Sequence, residues 1–274
     1  MPSLKFLVQQ LLKQVHLYER AKASYLYDLF WRVADKRIIE ARTCEIEFYK
    51  NLLVGFRRGD LIFDIGANDG YKTEIFLQLG AKIVAVDPDE ANQAILKEKF
   101  LKYRFTKKPV FVVGKAVSDK DGLETFWVDE PGSGKNTLNQ KWVQILRNDQ
   151  DRFGKALGFN DTVQVETLTL ETLITTYGRP FFVKIDIEGH ELNVLRGLQR
   201  PVPYLSFEVN LPEFKAEGLQ CLELLKRLDP LGRFNYTVDS QTKLAGQDWV
   251  TAQDFQRVLK DSRESSIEVF WKTV

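Results

Sequence analysis

From Gly55 onward, short apolar runs alternate with stretches of helical periodicity, a pattern that few folds accommodate. LIFDI (61–65), KIVAVD (82–87), VFVVGKAV (110–117), FFVKIDI (181–187) and YLSFEV (204–209) have strand character. Segments 71–80, 91–102, 190–198 and 217–228 have helical character. Such alternation predicts an α/β fold, a parallel sheet with helices on both faces. VFVV is apolar on both sides, which predicts a buried central strand. GLETFWV (122–128) is expected to form a hairpin with the strand before it. Residues 129–160 are polar and hold Gly132, Gly134, Gly154 and Gly158. That stretch reads as a long binding or lid loop.

No glycine precedes Gly55, and Pro2 is the only proline in that region. Leu4, Leu7, Val8, Leu11, Leu12, Val15 and Tyr18 recur at helical spacing, and Leu26, Leu29, Phe30 and Val33 repeat it. Two units are therefore expected, an N-terminal helical extension over 1–50 and the main domain over 51–274. The extension is read as packing at home, with a homodimer or a peripheral membrane contact as the alternative. His16 is read as structural. Lys5, Gln9 and Gln10 break the apolar N-terminus, which makes a poor signal-peptide core. No apolar run has the length of a membrane span. A net charge of +1 gives no general attraction to nucleic acid, and no nucleic-acid partner is expected. Cys44 and Cys221 form no CxxC pair, so neither a disulfide framework nor a zinc site is indicated, and a cytoplasmic location fits.

The turn FDIGANDG (63–70) follows the first strand, and ligands of open α/β sheets bind beyond the carboxyl ends of strands. Asp64 lies near that end. Gly66 and Gly70 enclose Ala67 and Asn68 without the middle glycine of a dinucleotide turn, and Asp69 puts negative charge where a pyrophosphate sits. This disfavours NAD, FAD and nucleoside triphosphates. It suits a cationic nucleoside without phosphate, and S-adenosylmethionine is one. Asp87 ends the second strand and is expected to accept both ribose hydroxyls. Asp64, Gly66, Ala67, Asn68, Gly70, Asp87, Pro88, Ala116 and Asp186 make up the candidate cofactor-binding set. GSGKNT (132–137) is no phosphate loop, because Asn136 stands where Ser or Thr is needed.

In PFFVKIDIEGHELNVLRGL (180–198), Lys184, Asp186 and Glu188 alternate and are expected to share one side of a strand. The plain account is a Lys–carboxylate pair with a helix cap. The functional account is an active-site wall. Asp186, Glu188 and His190 are the catalytic candidates. Glu208 and Asn210, at the end of YLSFEVN, are read either as lining the same crevice or as strand-end hydrogen bonds. No metal-specific spacing is present, although Asp186, Glu188 and Glu208 offer oxygen ligands.

FDIGANDG, AVDPDE, TLTLETLI (167–174), FFVKIDIEGHELNVLRGL and YLSFEVN together resemble the FkbM family of S-adenosylmethionine-dependent methyltransferases, over residues 45 to 210. GSGKNTLNQKW resembles a variable loop of that family through Thr137, Leu138 and Trp142. The resemblance implies a seven-stranded, mostly parallel Rossmann-like methyltransferase sheet with its last strand antiparallel, supplied by SIEVFWKT. It also implies O-methylation of a hydroxyl on a glycan or other polar small molecule. Such transfer needs a base within hydrogen-bond reach of the acceptor. The loop over 129–160 offers Ser133, Asn136, Asn139, Gln140, Asn148 and Asp149 as polar contacts and Trp142 as a surface for a sugar ring. Three rivals remain at this level: a nicotinamide oxidoreductase, a non-catalytic interaction protein, and a nucleic-acid methyltransferase using LKEKFLKYRFTKK (96–108). That last run is read first as a solvated helix face and loop.

Overall fold

The computed structural model describes residues 36–101, 110–149, 157–238 and 241–274. The amphipathic segments expected over 4–33, most of the basic run after Leu101, and Gly154 lie outside the described residues.

Seven strands form the main sheet in the order β3-β2-β1-β7-β8-β10-β9. They are β1 (Leu61–Ile65), β2 (Lys82–Val86), β3 (Val110–Val113), β7 (Phe182–Ile185), β8 (Tyr204–Asn210), β9 (Arg233–Val238) and β10 (Ser266–Lys272). Neighbours from β3 through β8 pair in parallel, while β10 runs antiparallel to both β8 and β9. Strand alternation sorts the core into two layers. Phe63, Ile65, Val84, Val86, Val183 and Ile185 pack on one face. Ile62, Ile83, Ala85 and Phe182 pack on the other. The second face is covered by α1 (Lys36–Leu52), α2 (Tyr71–Leu79) and α3 (Glu90–Lys99) through Tyr49, Phe76 and Leu96. The first is covered by α4 (Gln140–Asn148), α5 (Leu170–Tyr177), α6 (Glu191–Arg196), α7 (Lys215–Leu228) and α8 (Ala252–Asp261).

A second sheet, in the order β4-β6-β5, joins β4 (Ala116–Val117), β5 (Gly122–Val128) and β6 (Asp161–Leu168). Several expectations change here. VFVVGKAV splits: β3 ends at Val113 in the main sheet and β4 pairs with β6 in the small one. β3 is an edge strand with Phe111 exposed, because the chain leaves the main sheet after it and nothing among the described residues pairs with its outer side. GLETFWV pairs with β6 and not with the strand before it. Residues 129–160 contain α4, capped by the Asn139 side chain, so the stretch is not one loop.

Helix α1 runs through the expected boundary between residues 50 and 51. Tyr49 meets Phe76 edge to face, and Lys72 of α2 is ion-paired with Glu45 at 2.7 Å. Among the described residues, no helix is long and apolar enough to cross a membrane.

Candidate active site

The strand order reverses between β1 and β7: the chain proceeds from β1 outward to β3, then returns to the other side of β1. Crevices at such switch points are where open sheets bind ligands. Two turns meet there. Gly66 follows β1 with φ +82°, and a β-carbon on it would lie 1.8 Å from the Asp186 carbonyl oxygen at the end of β7. The cavity above them measures about 330 Å³.

Gly66, Asn68, Asp87, Pro88, Ala116 and Asp186 all line this cavity. Glu188 and His190 line it too. Asp64, Ala67 and Gly70 do not. Ala67 packs in the apolar layer under α1–α3. Gly70 begins α2 in the left-handed region, and a β-carbon there would strike Leu96 and Phe100, so packing against α3 already requires a glycine. Asp64 lies beneath the turn. Its Oδ2 accepts from the Thr73 hydroxyl at 2.5 Å, and its buried Oδ1 has no partner among the described residues. Burial raises the Asp64 carboxyl pKa, opposed by the Lys184 ammonium and the Thr73 hydroxyl.

Asp87 joins the two cofactor-side turns. Its carboxylate accepts from the backbone N–H of Asn68 (2.8 Å) and Asp89 (2.9 Å) and from the Asn92 amide (3.3 Å). A carboxylate has about four acceptor positions, so about one stays open for a ribose hydroxyl, fewer than the pair expected. Burial pushes its pKa up to about 6 despite these donors.

Lys184, Asp186 and Glu188 do not share one side. β7 ends at Ile185, and Glu188 adopts φ +55°, which breaks the alternation. Asp186 pairs with Lys184 at 2.7 Å, and its side chain is 44% exposed. Glu188 turns toward the chain after β5, where Oε1 accepts from Lys135 (2.8 Å) and Oε2 from the Trp142 indole (3.0 Å). Burial raises its pKa, with Lys135 opposing and Asp186 adding to the rise. The same turn is held by the Thr137 hydroxyl, which donates to the Glu188 carbonyl at 2.8 Å, and by the Asn139 amide donating to the Gly189 carbonyl. Asp89 Oδ2 accepts from Gly132 N–H and the Asn136 amide. Residues 132–139 thus form a strap fixed at both sides of the cavity.

Trp142 is fully buried against Phe214, so it presents no face to a sugar ring. His190 is buried, with Nε2 3.0 Å from the Ser118 hydroxyl and 3.8 Å from Glu124. Burial lowers its pKa, with Glu124 and Asp119 opposing. Glu208 and Asn210 do not line the cavity. Glu208 accepts from Ser266 at 3.2 Å and Asn210 at 3.3 Å, the strand-end alternative. Among the described residues, no group of three His, Cys, Asp or Glu side chains is placed to hold a metal ion. Asn92, Phe126 and Lys135 also line the cavity. Nothing in the motifs singled them out. Asn92 is on the first turn of the helix after Asp87 and Lys135 is inside GSGKNT, so proximity to the recognised motifs was the only available signal.

A sheet of this order, with a glycine turn and a carboxylate after the second strand at its switch point, has the architecture of the Rossmann-like methyltransferases. The family model for the methyltransferase FkbM domain matches residues 64–236, and the chain belongs to that family. S-adenosylmethionine is its cofactor. The residues present fit that cofactor: Asp87 lines the cavity and keeps an acceptor position open, and the carboxylates of the lining suit a cationic ligand. No curated protein matches the sequence. Among solved structures, the methyltransferase FkbM from Methylobacillus flagellatus KT is 15% identical with a TM-score of 0.49, covering 80% of this chain. The chain spans 45% of that protein's length. The C-terminal domain of precorrin-6Y C5,15-methyltransferase from Rhodobacter capsulatus is 12% identical with a TM-score of 0.42, covering 81% of this chain and 85% of that one. A SAM-dependent methyltransferase from Agrobacterium tumefaciens is 11% identical with a TM-score of 0.40, covering 85% and 62% respectively.

Proposed function

We propose that the protein is an O-methyltransferase acting on a hydroxyl of a glycan or other polar small molecule, with Asp186 as the base. The bound cofactor supplies an electrophilic methyl group on a sulfonium. An alcohol attacks well only as it loses its proton, so a base at the reacting end is required. One observation carries the assignment: of the carboxylates at the junction of the two turns, Asp186 is the half-exposed one. Glu188 has each oxygen committed to a donor of the strap or of α4, which supports a role in shaping the cavity. His190 is the alternative base, and its lowered pKa favours the neutral imidazole such a role needs. Backbone groups of Gly66 and Asn68 and the Asp87 carboxylate hold the nucleoside side. Ser133, Asn136 and Thr137, also on the cavity wall, support a polar acceptor. The unpaired Cys44 and Cys221 support a cytoplasmic location.

The test is transfer of labelled methyl groups from S-adenosylmethionine to glycans, RNA and total protein extracted from the source cell. Label is expected in the glycan or small-molecule fraction. Asp186→Asn is expected to lower that transfer by roughly 10²-fold or more, as loss of a general base does. Label confined to RNA or protein refutes the acceptor class, and normal turnover by the variant refutes the base.

A further inference from the structure

The sheet face under α1–α3 carries a row of polar side chains across its central strands. Asp64 on β1 is in register with Lys184 on β7, and Lys184 is in register with Ser206 on β8. Glu268 on β10 completes the row, accepting from the Ser206 hydroxyl at 2.8 Å. Asp64, Lys184 and Ser206 are all buried. An ammonium in such a place is costly unless paired and hydrogen-bonded, and an apolar side chain of similar length would fill the same space. Packing therefore does not account for a lysine at position 184.

Its contact does. The Lys184 ammonium lies 2.7 Å from Asp186 Oδ2, while the rest of the Asp186 side chain is exposed at the cavity. Solvent scarcely reaches the cation, so its field at Asp186 is screened far less than that of a surface pair. We propose that Lys184 is a positioning residue: from beneath the sheet's polar row it fixes the orientation of the Asp186 carboxylate and keeps it ionised at the switch point. The catalytic meaning of this rests on the reading of Asp186 as the base.

Other charged groups face the same pair. They are Asp64 on β1, Lys72 on α2, Lys135 on the strap and Glu268 on β10, with the uncharged Tyr49 phenol on α1 beside them. Glu188 follows β7, Glu191 starts α6 and Glu208 lies on β8. Burial alone would raise the Asp186 carboxyl pKa, and Lys184, with lesser help from Lys135 and Lys72, holds it below the usual range. Lys184 itself is raised: burial opposes its charge, and Asp186, Glu268 and Asp64 outweigh that.

The experiment is a carboxyl-carbon NMR titration of Asp186 in the full chain, with S-adenosylhomocysteine affinity measured beside it. Lys184→Met is expected to stay folded and to raise the proton affinity of Asp186 tenfold or more. An unmoved Asp186 titration in a folded variant overturns the proposal. Glu268→Gln provides a second route if Lys184→Met does not fold. It removes a negative charge that acts on the Lys184 ammonium, leaving more of that cation's field to Asp186, which is expected to titrate at lower pH. An unchanged or upward movement contradicts the proposal. Failure of the base reading is distinguishable, because normal methyl transfer by Asp186→Asn refutes that reading whatever the titration gives.

Discussion

Gly66 and Asp186 illustrate how single positions set the site. A β-carbon at Gly66 would enter the Asp186 carbonyl oxygen, and its φ of +82° is one that side chains resist. Gly66→Ala combines left-handed strain of about 1–3 kcal/mol with overpacking of about 1–3 kcal/mol. A loss of roughly 2–6 kcal/mol in urea unfolding is expected from those two sources. A loss within a few tenths would mean the two turns do not meet as described. Gly66, Asp87 and Asp186 were legible in the sequence because each belongs to a strand-end motif with its own local spacing. The direction of Glu188 was not, because a left-handed residue inside a turn reverses a side chain without any change in residue pattern. Asp64 and Gly70 were assigned to the ligand by the same motif logic, whereas the structure gives them a buried and a packing position.

The strap and α4 act as one element because Glu188 binds both. Trp142→Phe keeps most of the packing but removes the indole donor from a buried carboxylate. It should cost about 1–3 kcal/mol, read by urea unfolding, and a neutral effect would mean that water replaces the donor. The turn before α6 has a second carboxylate. Glu191 Oε1 accepts from the backbone N–H of Ile187 and Gly189, and burial raises its pKa to about 8. Between the ordinary glutamate value of 4.5 and about 8, the folded chain keeps a proton that the unfolded chain has lost. Stability therefore falls as pH rises through that window, by up to about 1.4 kcal/mol per unit for this one group. Glu191→Gln should show a shallower fall in stability from pH 5 to 8, and an identical slope would locate the titration elsewhere. Periodicity missed elements of this region for physical reasons. β6 reads DTVQVETL because most of it is exposed, and the apolar face of α4, with Trp142, Val143 and Leu146, was hidden among glycines and amides.

Across the whole molecule, β1, β2, β7 and β8 were legible because both faces of these strands are largely buried, and apolar runs between helices announce that arrangement. The small sheet was not, since β4 and β6 are joined by pairing across some fifty residues that local pattern does not encode. The edge position of β3 was equally invisible, because VFVV reads the same at the edge as at the centre. What the fold brings together is a cavity between the Asp87 carboxylate after β2 and the Asp186 carboxylate after β7, and the proposed function stands on that cavity holding S-adenosylmethionine. Calorimetric titration of the wild type and Asp87→Ala with S-adenosylhomocysteine from pH 5 to 8 tests it most directly. One-to-one binding is predicted, weakening as pH falls through about 6, where Asp87 protonates. Asp87→Ala should bind about 1–3 kcal/mol more weakly at pH 8 and lose that pH dependence. Equal affinity in the variant, or binding of NAD with none of S-adenosylhomocysteine, would contradict the account.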